Sequence, residues 1–471
     1  MENSTKPLTT ENVSLKTKIS WGAGGLADNY IMNMLTPHIL IMPLYNIKFG
    51  MNPALIGIAL AIPRVIDAIT DPVMGNISDN TRTRWGRRVP YIFMGAILSA
   101  MILPLLWTPP IKTDWFMFGY LATLASLYSI AYTIFSVPYT ALGYELTTDY
   151  NERTKVLAWR MYIGLFGSLT IPWLLRISML DIFGGNIMTG ALCVCSLISV
   201  IIIVSGIAPA VFCKEKTFTL KQEKISLLKA SKYTLKNRAF MTIMFALMII
   251  LCAMFTCPML SFYINAYHIF NDMKEAATML GLGGVVMTAC SYISMWLITF
   301  VSTHKGKRFA MNLGLGLVIF GVASLYYTLN PKWPYLQLVS SAIAGLGMQG
   351  CWLMLSSMTA DVCDDDEMRT GLRREGLYGA VYGFVMKLSL AISAFTSGWI
   401  LNVSGFDIKI AEVTNTVPIG IITHMKLLLI GIQCLGLSIA MILILFYPLT
   451  KKRCEEIRAI LDKTHPNEDV K

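Results

Sequence analysis

Charged residues are scarce in this chain of 471 residues, because Asp, Glu, Lys and Arg together make up only 14% of it. A soluble protein of this size would carry about 25%. Hydrophobic residues make up 55% of the chain, and apolar runs of about 18 residues or more recur along its whole length. These runs do not alternate apolar with polar residues, as the strands of a membrane barrel would. The composition therefore predicts an all-α polytopic membrane protein.

Motifs for catalysis, metal binding and secretion are also lacking. No CxxC pair and no HExxH motif occurs, and His38 and His268 are isolated within apolar runs. We therefore predict that the chain is not an enzyme and has no cofactor. The ten cysteines lie in predicted spans or in loops that we expect to face the cytoplasm, so free thiols are expected. Residues 1–18 are polar, and a cleaved signal peptide is not expected.

Positive charge is unevenly distributed along the chain. The formal net charge is +11, but the cations occupy short loops between apolar runs, so a nucleic-acid partner is not predicted. One set of loops carries most of them: Arg82, Arg84, Arg87, Arg88, Arg153, Lys155, Lys305, Lys307, Arg308, Arg369, Arg373, Arg374, Lys451, Lys452 and Arg453. Since such loops face the cytoplasm, both termini are predicted there, in a bacterial inner membrane. We expect a monomer among membrane lipids.

Twelve transmembrane spans are predicted. They cover about 20–45, 53–78, 90–108, 115–144, 159–179, 187–212, 239–266, 277–302, 309–329, 334–360, 377–403 and 419–449. The predicted domains are an N-terminal six-helix bundle (1–212), a Lys-rich cytoplasmic middle loop (213–238), a C-terminal six-helix bundle (239–449) and a cytoplasmic tail (450–471). Trp85-Gly86-Arg87-Arg88 follows span 2 and Lys305-Gly306-Lys307-Arg308 follows span 8, which indicates a faint internal repeat.

Two carboxylates interrupt the apolar sequence of span 2. Asp67 and Asp71 are one helical turn apart, so both side chains lie on the same face. Acids at membrane depth are costly unless they face a cavity, a cation or a partner charge. The pair therefore predicts an ion site. The structural alternative is that Asp67 pairs with Arg64 while Asp71 caps a helix break at Pro72.

Three longer motifs carry a family resemblance. The first runs from Asp71-Pro72-Val73-Met74-Gly75 through Trp85-Gly86-Arg87-Arg88, and the second is Asp149-Tyr150-Asn151-Glu152-Arg153-Thr154. The third comprises Asp366-Glu367, Thr370-Gly371 and Arg373-Arg374-Glu375-Gly376. In this order they resemble the glycoside–pentoside–hexuronide:cation symporters, which are sugar transporters of the major facilitator superfamily. The resemblance covers nearly the whole chain and implies two six-helix bundles.

The resemblance implies a cation site on spans 2 and 4. Its residues fall on Asp67, Thr70, Asp71 and Thr133. Two carboxylates with two hydroxyls suit an alkali cation, or a proton shared by the acids. The choice between sodium and proton as coupling ion stays open.

The sugar site implied by the resemblance is less completely matched. Arg160, Trp352 and Lys387 stand at family positions, but Asn29 (with Asp28 before it), Ser136 and Thr140 replace family acids and an aromatic residue. The predicted substrate residues are Asp28, Asn29, Ser136, Thr140, Arg160, Trp352 and Lys387. Fewer acids make the cavity more positive, which favours an anionic sugar such as a uronide. The alternatives are interfacial anchoring for the cations and ordinary packing for Trp352.

We predict cation-coupled symport of a sugar by alternating access. The predicted gating residues are Arg84, Arg87, Arg88, Asp149, Glu152, Arg153, Asp361, Asp364 and Glu367, with ion pairs between the arginines and the acids. For these residues the positive-inside rule alone is an alternative explanation. Two other functions remain open: a lipid transporter of related architecture, and an uncoupled sugar facilitator or sensor.

Overall fold

The computed structural model describes residues 13–36, 40–109, 113–147, 150–213, 237–371, 375–408 and 417–464. These residues are almost entirely helical. The helices that match the predicted spans are α1 (Leu15–Met34), α2 (Pro53–Asn80), α3 (Val89–Leu105), α4 (Asp114–Glu145), α5 (Tyr150–Thr170), α6 (Ile187–Phe212), α7 (Arg238–Thr256), α8 (Met273–Lys305), α9 (Lys307–Thr328), α10 (Gln337–Thr370), α11 (Glu375–Val403) and α12 (Ile419–Leu445). A further helix, α13 (Lys451–Thr464), follows α12.

Short irregular segments extend two of the helices. A 3₁₀ turn, Ile171–Trp173, joins α5 to the helical segment Leu174–Ser178, and the segment Pro258–Ile264 follows α7. Within the described residues, ten helical segments are long and apolar enough to cross a membrane, and Val89–Leu105 is a shorter apolar helix. The prediction of an all-α, multi-pass membrane protein is confirmed.

The chain forms two compact units. The first comprises Met1–Leu40 and Ile66–Lys221, and the second comprises Ile41–Val65 and Gln222–Lys471. The division falls inside α2, whereas the sequence analysis assigns residues 41–65 to the N-terminal bundle. Most of the predicted middle loop, residues 214–236, lies outside the described residues. The domain boundaries read from the sequence stay a prediction.

In the first unit, small residues allow helices to approach closely. A Cβ atom on Gly25 of α1 would lie 2.9 Å from the Arg160 carbonyl oxygen of α5, and one on Gly95 of α3 would collide with the backbone of Phe135 on α4. Membrane helices associate largely through such contacts, because lipid supplies no hydrophobic force between them. The polar side chains of α1 are thereby held against α5.

In the second unit, an apolar core joins α7, α9, α10 and α12. Phe240, Leu247, Met311 and Leu437 are fully buried within it, and Ile457 of α13 adds to the same core. The α9 and α10 backbones meet where Gly347 faces the Gly314 carbonyl oxygen.

The segment before α2 is also part of the second unit. Asn46 accepts a hydrogen bond from the Tyr263 hydroxyl and donates one to the Met51 carbonyl at 3.0 Å. Asn46 is buried, so these bonds satisfy an amide that would otherwise be costly to bury.

Candidate cation and substrate sites

The two acids of span 2 lie on one face of α2 opposite hydroxyl groups of α4. Asp67 is completely buried, and its Oδ1 accepts a hydrogen bond from the Ser129 hydroxyl. The Thr133 hydroxyl lies 2.9 Å from Asp71 Oδ1 and 3.5 Å from Asp67 Oδ1. Thr133 has a single hydroxyl hydrogen, so the two acids share one donor.

Thr70 completes the group. Its hydroxyl lies 3.3 Å from the Thr133 hydroxyl and 3.1 Å from the Ile66 carbonyl oxygen. The structure thus brings together all four residues that the family resemblance implies. Because α2 runs without a break from Pro53 to Asn80, Asp71 does not cap a helix end at Pro72, and that part of the structural alternative is wrong.

Ser129 is the residue of this cluster that the sequence analysis missed. It precedes Thr133 by four residues, and two residues of a helix with this spacing lie on the same face. A search for hydroxyl groups one turn from Thr133 would have found it. The cluster therefore offers carboxylate and hydroxyl oxygens together, the donor set that hard cations prefer.

Arg160, predicted in the substrate site, forms an ion pair with a second predicted residue. Its Nη2 lies 2.8 Å from Asp28 Oδ2, which ties α5 to α1. The guanidinium group also lies over the rings of Tyr139 and Trp21, 5.3 and 5.9 Å from their centroids. The Asp28 carboxylate thus balances the charge of Arg160, while the predicted excess of positive charge in the cavity stays a prediction.

The other predicted substrate residues of the first unit are arranged along α1 and α4. Asn29 donates to the Ser168 hydroxyl at 3.2 Å, and Asn33 donates to the Asn29 carbonyl at 2.8 Å. Ser136 and Thr140 are half-buried on α4 and follow Thr133 at helical spacing. Ser136 and Thr140 thus continue from the cation cluster along the same helix, whereas Asn29 lies on α1.

Two predicted substrate residues belong to the second unit. Trp352 on α10 is half-buried and packs against the apolar core, as its structural alternative expects. Lys387 is half-buried on α11.

The predicted gating arginines Arg87 and Arg88 of the first unit pair with acids at the ends of α2 and α4. Arg87 Nη2 lies 3.1 and 3.0 Å from the two carboxylate oxygens of Glu145. Arg88 is buried and lies 2.9 Å from both Asp79 and Glu145. Neither acid was among the predicted gating residues. Arg84 is exposed and makes no ion pair within the part of the chain that the structure describes.

Glu152, another predicted gating residue, is buried at the start of α5. Its oxygens lie 2.7 Å from Lys155 and 2.7 Å from Lys18 of α1. Hydrogen bonds from Lys155 and then Lys18 lower the pKa of Glu152 to about 2. Asp149 and the side chain of Arg153 lie outside the described residues.

The predicted gating acids of the second unit lie in the last turns of α10. Asp361 is buried, and both of its oxygens contact Lys307 Nζ, at 2.6 and 2.7 Å. Asp364 and Glu367 are half-buried on the same helix. Asp365, which the sequence analysis did not select, is buried and pairs with Arg369 at 2.9 Å.

Comparison with known proteins identifies the class of protein. The family described as MFS/sugar transport protein matches residues 20–451, and the chain belongs to this family. The family resemblance, the major facilitator fold and the prediction of a transporter rather than an enzyme are thereby confirmed.

Individual relatives share this architecture over nearly their full length. The chain is 27% identical over 464 residues to a putative glycoside/cation symporter of Escherichia coli, covering 96% of this chain and 95% of the relative. It is 25% identical over 469 residues to a glucuronide carrier protein homolog of Escherichia coli, covering 96% of each. The crystal structure of a D-xylose-proton symporter superposes with a TM-score of 0.63 at 12% identity, covering 92% of this chain and 97% of that one, and shows the shared fold.

Proposed function

We propose that this protein is a secondary active transporter that couples entry of a sugar, glycoside or hexuronide to an inward flow of sodium or protons. The observation that carries the proposal is the cluster of Asp67, Asp71 and Thr133, in which two carboxylates share one hydroxyl donor. Two acids this close repel one another when both are charged, so the cluster favours binding of a cation or proton. The relatives of this protein include proteins named as symporters, which agrees with this role.

Coupling follows from the helices that hold the cluster. A bound cation removes the repulsion within α2 and draws α2 towards the hydroxyls of α4, the helix that also carries Ser136 and Thr140. A cation therefore preorganises sugar-binding groups, and each ligand strengthens binding of the other by the same factor. Alternating access of two six-helix bundles then converts a cation gradient into sugar accumulation.

The proposed sugar site includes the Asp28–Arg160 pair. The pair offers carboxylate acceptors and guanidinium donors side by side, the combination that recognises sugar hydroxyls or a uronide carboxylate. Since Asp28 already balances Arg160, the pair alone adds no net positive charge for an anionic sugar. The Arg87–Glu145 and Lys307–Asp361 pairs would act in gating, in an inner membrane with both termini cytoplasmic.

The test is uptake of neutral glycosides, pentosides and uronides into proteoliposomes, with and without an inward sodium or proton gradient. We expect gradient-driven accumulation by the wild-type protein and its loss in Asp67→Asn. The matched control is Asp272→Asn, which makes the same chemical change at the exposed start of α8. If the folded protein moves no sugar under any gradient, the proposal fails, and lipid substrates would be tested next.

A further inference from the structure

Ser129 lies between the two helices of the cation cluster. It is buried on α4, and its hydroxyl donates to Oδ1 of Asp67, which is itself completely buried on α2. This oxygen also lies within reach of Thr133, 3.5 Å away. Ser129 is thus the hydroxyl closest to the deepest carboxylate of the site.

Other serines of the first unit use their hydroxyls differently. Ser126, three residues earlier on α4, donates to the Ala122 carbonyl of its own helix at 2.6 Å. Ser199 and Ser205 of α6 do the same with Cys195 and Ile201. This is the ordinary way to satisfy a hydroxyl in a membrane helix. The bond from Ser129 instead crosses to another helix and reaches a carboxyl group.

The oxygen atoms of the cluster indicate which kind of cation it suits. With Ser129, the cluster presents carboxylate oxygens of Asp67 and Asp71 and hydroxyl oxygens of Ser129, Thr133 and Thr70. A hard metal cation is held by several oxygens at once, whereas a proton needs a single lone pair. Each hydroxyl oxygen can offer a lone pair to a cation while its hydrogen is donated in a hydrogen bond.

We infer that Ser129 is a further positioning residue of the cation site, and that it adapts the site to an alkali metal cation rather than a proton. It holds Asp67 in place and adds its own oxygen to the set. The inference rests on the proposed cation-coupled transport and deepens it by naming the class of ion.

Sodium binding to the detergent-purified full chain tests this directly, by titration calorimetry with sodium chloride against choline chloride. We expect Ser129→Ala to weaken sodium binding about tenfold, as loss of one hydrogen bond to a charged group implies. Ser129→Thr keeps the hydroxyl and should bind nearly as the wild type does. Ser126→Ala removes a hydroxyl one turn away on the same helix and should change nothing. Asp67→Asn shows the calorimetric signal that is expected when the sodium site is lost.

A transport measurement separates an ion-site role from a general loss of structure. In Ser129→Ala, the sodium concentration for half-maximal uptake should rise about tenfold. Uptake driven by a proton gradient should keep at least the wild-type rate. A structural defect would instead lower the rates of both sodium-driven and proton-driven uptake.

The outcomes distinguish this inference from the proposed function. Sodium binding that is lost in Asp67→Asn but unchanged in Ser129→Ala overturns the inference and leaves the transporter proposal standing. Wild-type protein that binds no sodium overturns it as well, and points to proton coupling. If no sugar is transported, the function proposal fails, while the binding titration still decides the role of Ser129.

Discussion

Two glycine-containing turns share a backbone feature and form an ion pair at the corresponding position. They are Trp85-Gly86-Arg87-Arg88 and Lys305-Gly306-Lys307-Arg308. Gly86 and Gly306 both have positive φ angles, 112° and 86°, a region that favours glycine. The next residue pairs with an acid late in the helix two places further along: Arg87 with Glu145 of α4, and Lys307 with Asp361 of α10. The repeat seen faintly in the sequence therefore extends to three-dimensional contacts.

The turns differ in what the second cation does. Arg88 pairs with both Asp79 and Glu145, so the first turn forms a branched network with two arginines on one acid. Arg308 instead donates to the Leu445 carbonyl oxygen, while Lys307 forms the ion pair with Asp361. Both turns thus keep the glycine and one ion pair, while the neighbouring acids determine whether a larger network of ion pairs forms.

The largest effect is expected from Glu145→Gln, which breaks the network at its centre. The change removes one of the acids that pair with Arg88, which is only 7% exposed, and a buried charge that loses a partner is costly. We expect a loss of roughly 3 kcal/mol of unfolding free energy. It can be measured as a lower melting temperature of the detergent-purified protein.

The control for the branched network is Asp79→Asn. The Asp79 side chain is half exposed, so this variant should lose roughly 1 kcal/mol or less. Equal melting temperatures for the two variants would mean that Glu145 is not the centre of the network.

The second effect concerns the single pair of the other turn. Lys307→Ala leaves Asp361 buried without its lysine, whereas Asp361→Asn leaves a lysine that is 29% exposed and can reach water. The lysine variant should therefore lose about 2 kcal/mol and the aspartate variant about 1 kcal/mol. Thermal unfolding of both, beside the double variant, measures the asymmetry, and the reverse order would contradict the burial argument.

The sequence predicted helices better than it predicted partners. The spans were predictable because apolar runs of membrane length have one physical solution, a helix that satisfies its own backbone. The cluster of Asp67, Thr70, Asp71 and Thr133 was predictable from helical spacing together with the family resemblance. Side-chain pairs between helices depend on helix rotation and on residues far apart in sequence, which a single sequence does not specify.

Three particular contacts show where this limit falls. The sequence predicts Asp149 and Glu152 among the partners of the gating arginines, whereas Arg87 pairs with Glu145. The Asp28–Arg160 pair spans 132 positions, and it balances a positive charge that the sequence alone leaves without a partner. The contact of Ser129 with Asp67 was not predicted, because a lone serine in an apolar helix most often donates to the backbone of its own helix.

The last prediction extends the comparison to an acid held by lysines. Glu152, like Glu145, contacts two cations, but these are Lys18 and Lys155. Its pKa of about 2 lies below the value of about 4.3 for an unfolded chain. Its contribution to stability is therefore complete above about pH 5 and declines as the pH falls from there towards 2, because the unfolded chain takes up the proton first. At neutral pH the contribution does not vary with pH.

Melting temperatures of wild type and Glu152→Gln between neutral pH and the acid limit of detergent stability measure this. The difference between the two proteins should stay constant down to about pH 5 and then shrink, since only the wild type has the titrating group. A gap that stayed constant into the acid range would mean that the two lysines do not hold Glu152 in its charged form. Glu145→Gln serves as the comparison, because it tests the acid that two arginines hold within the same unit.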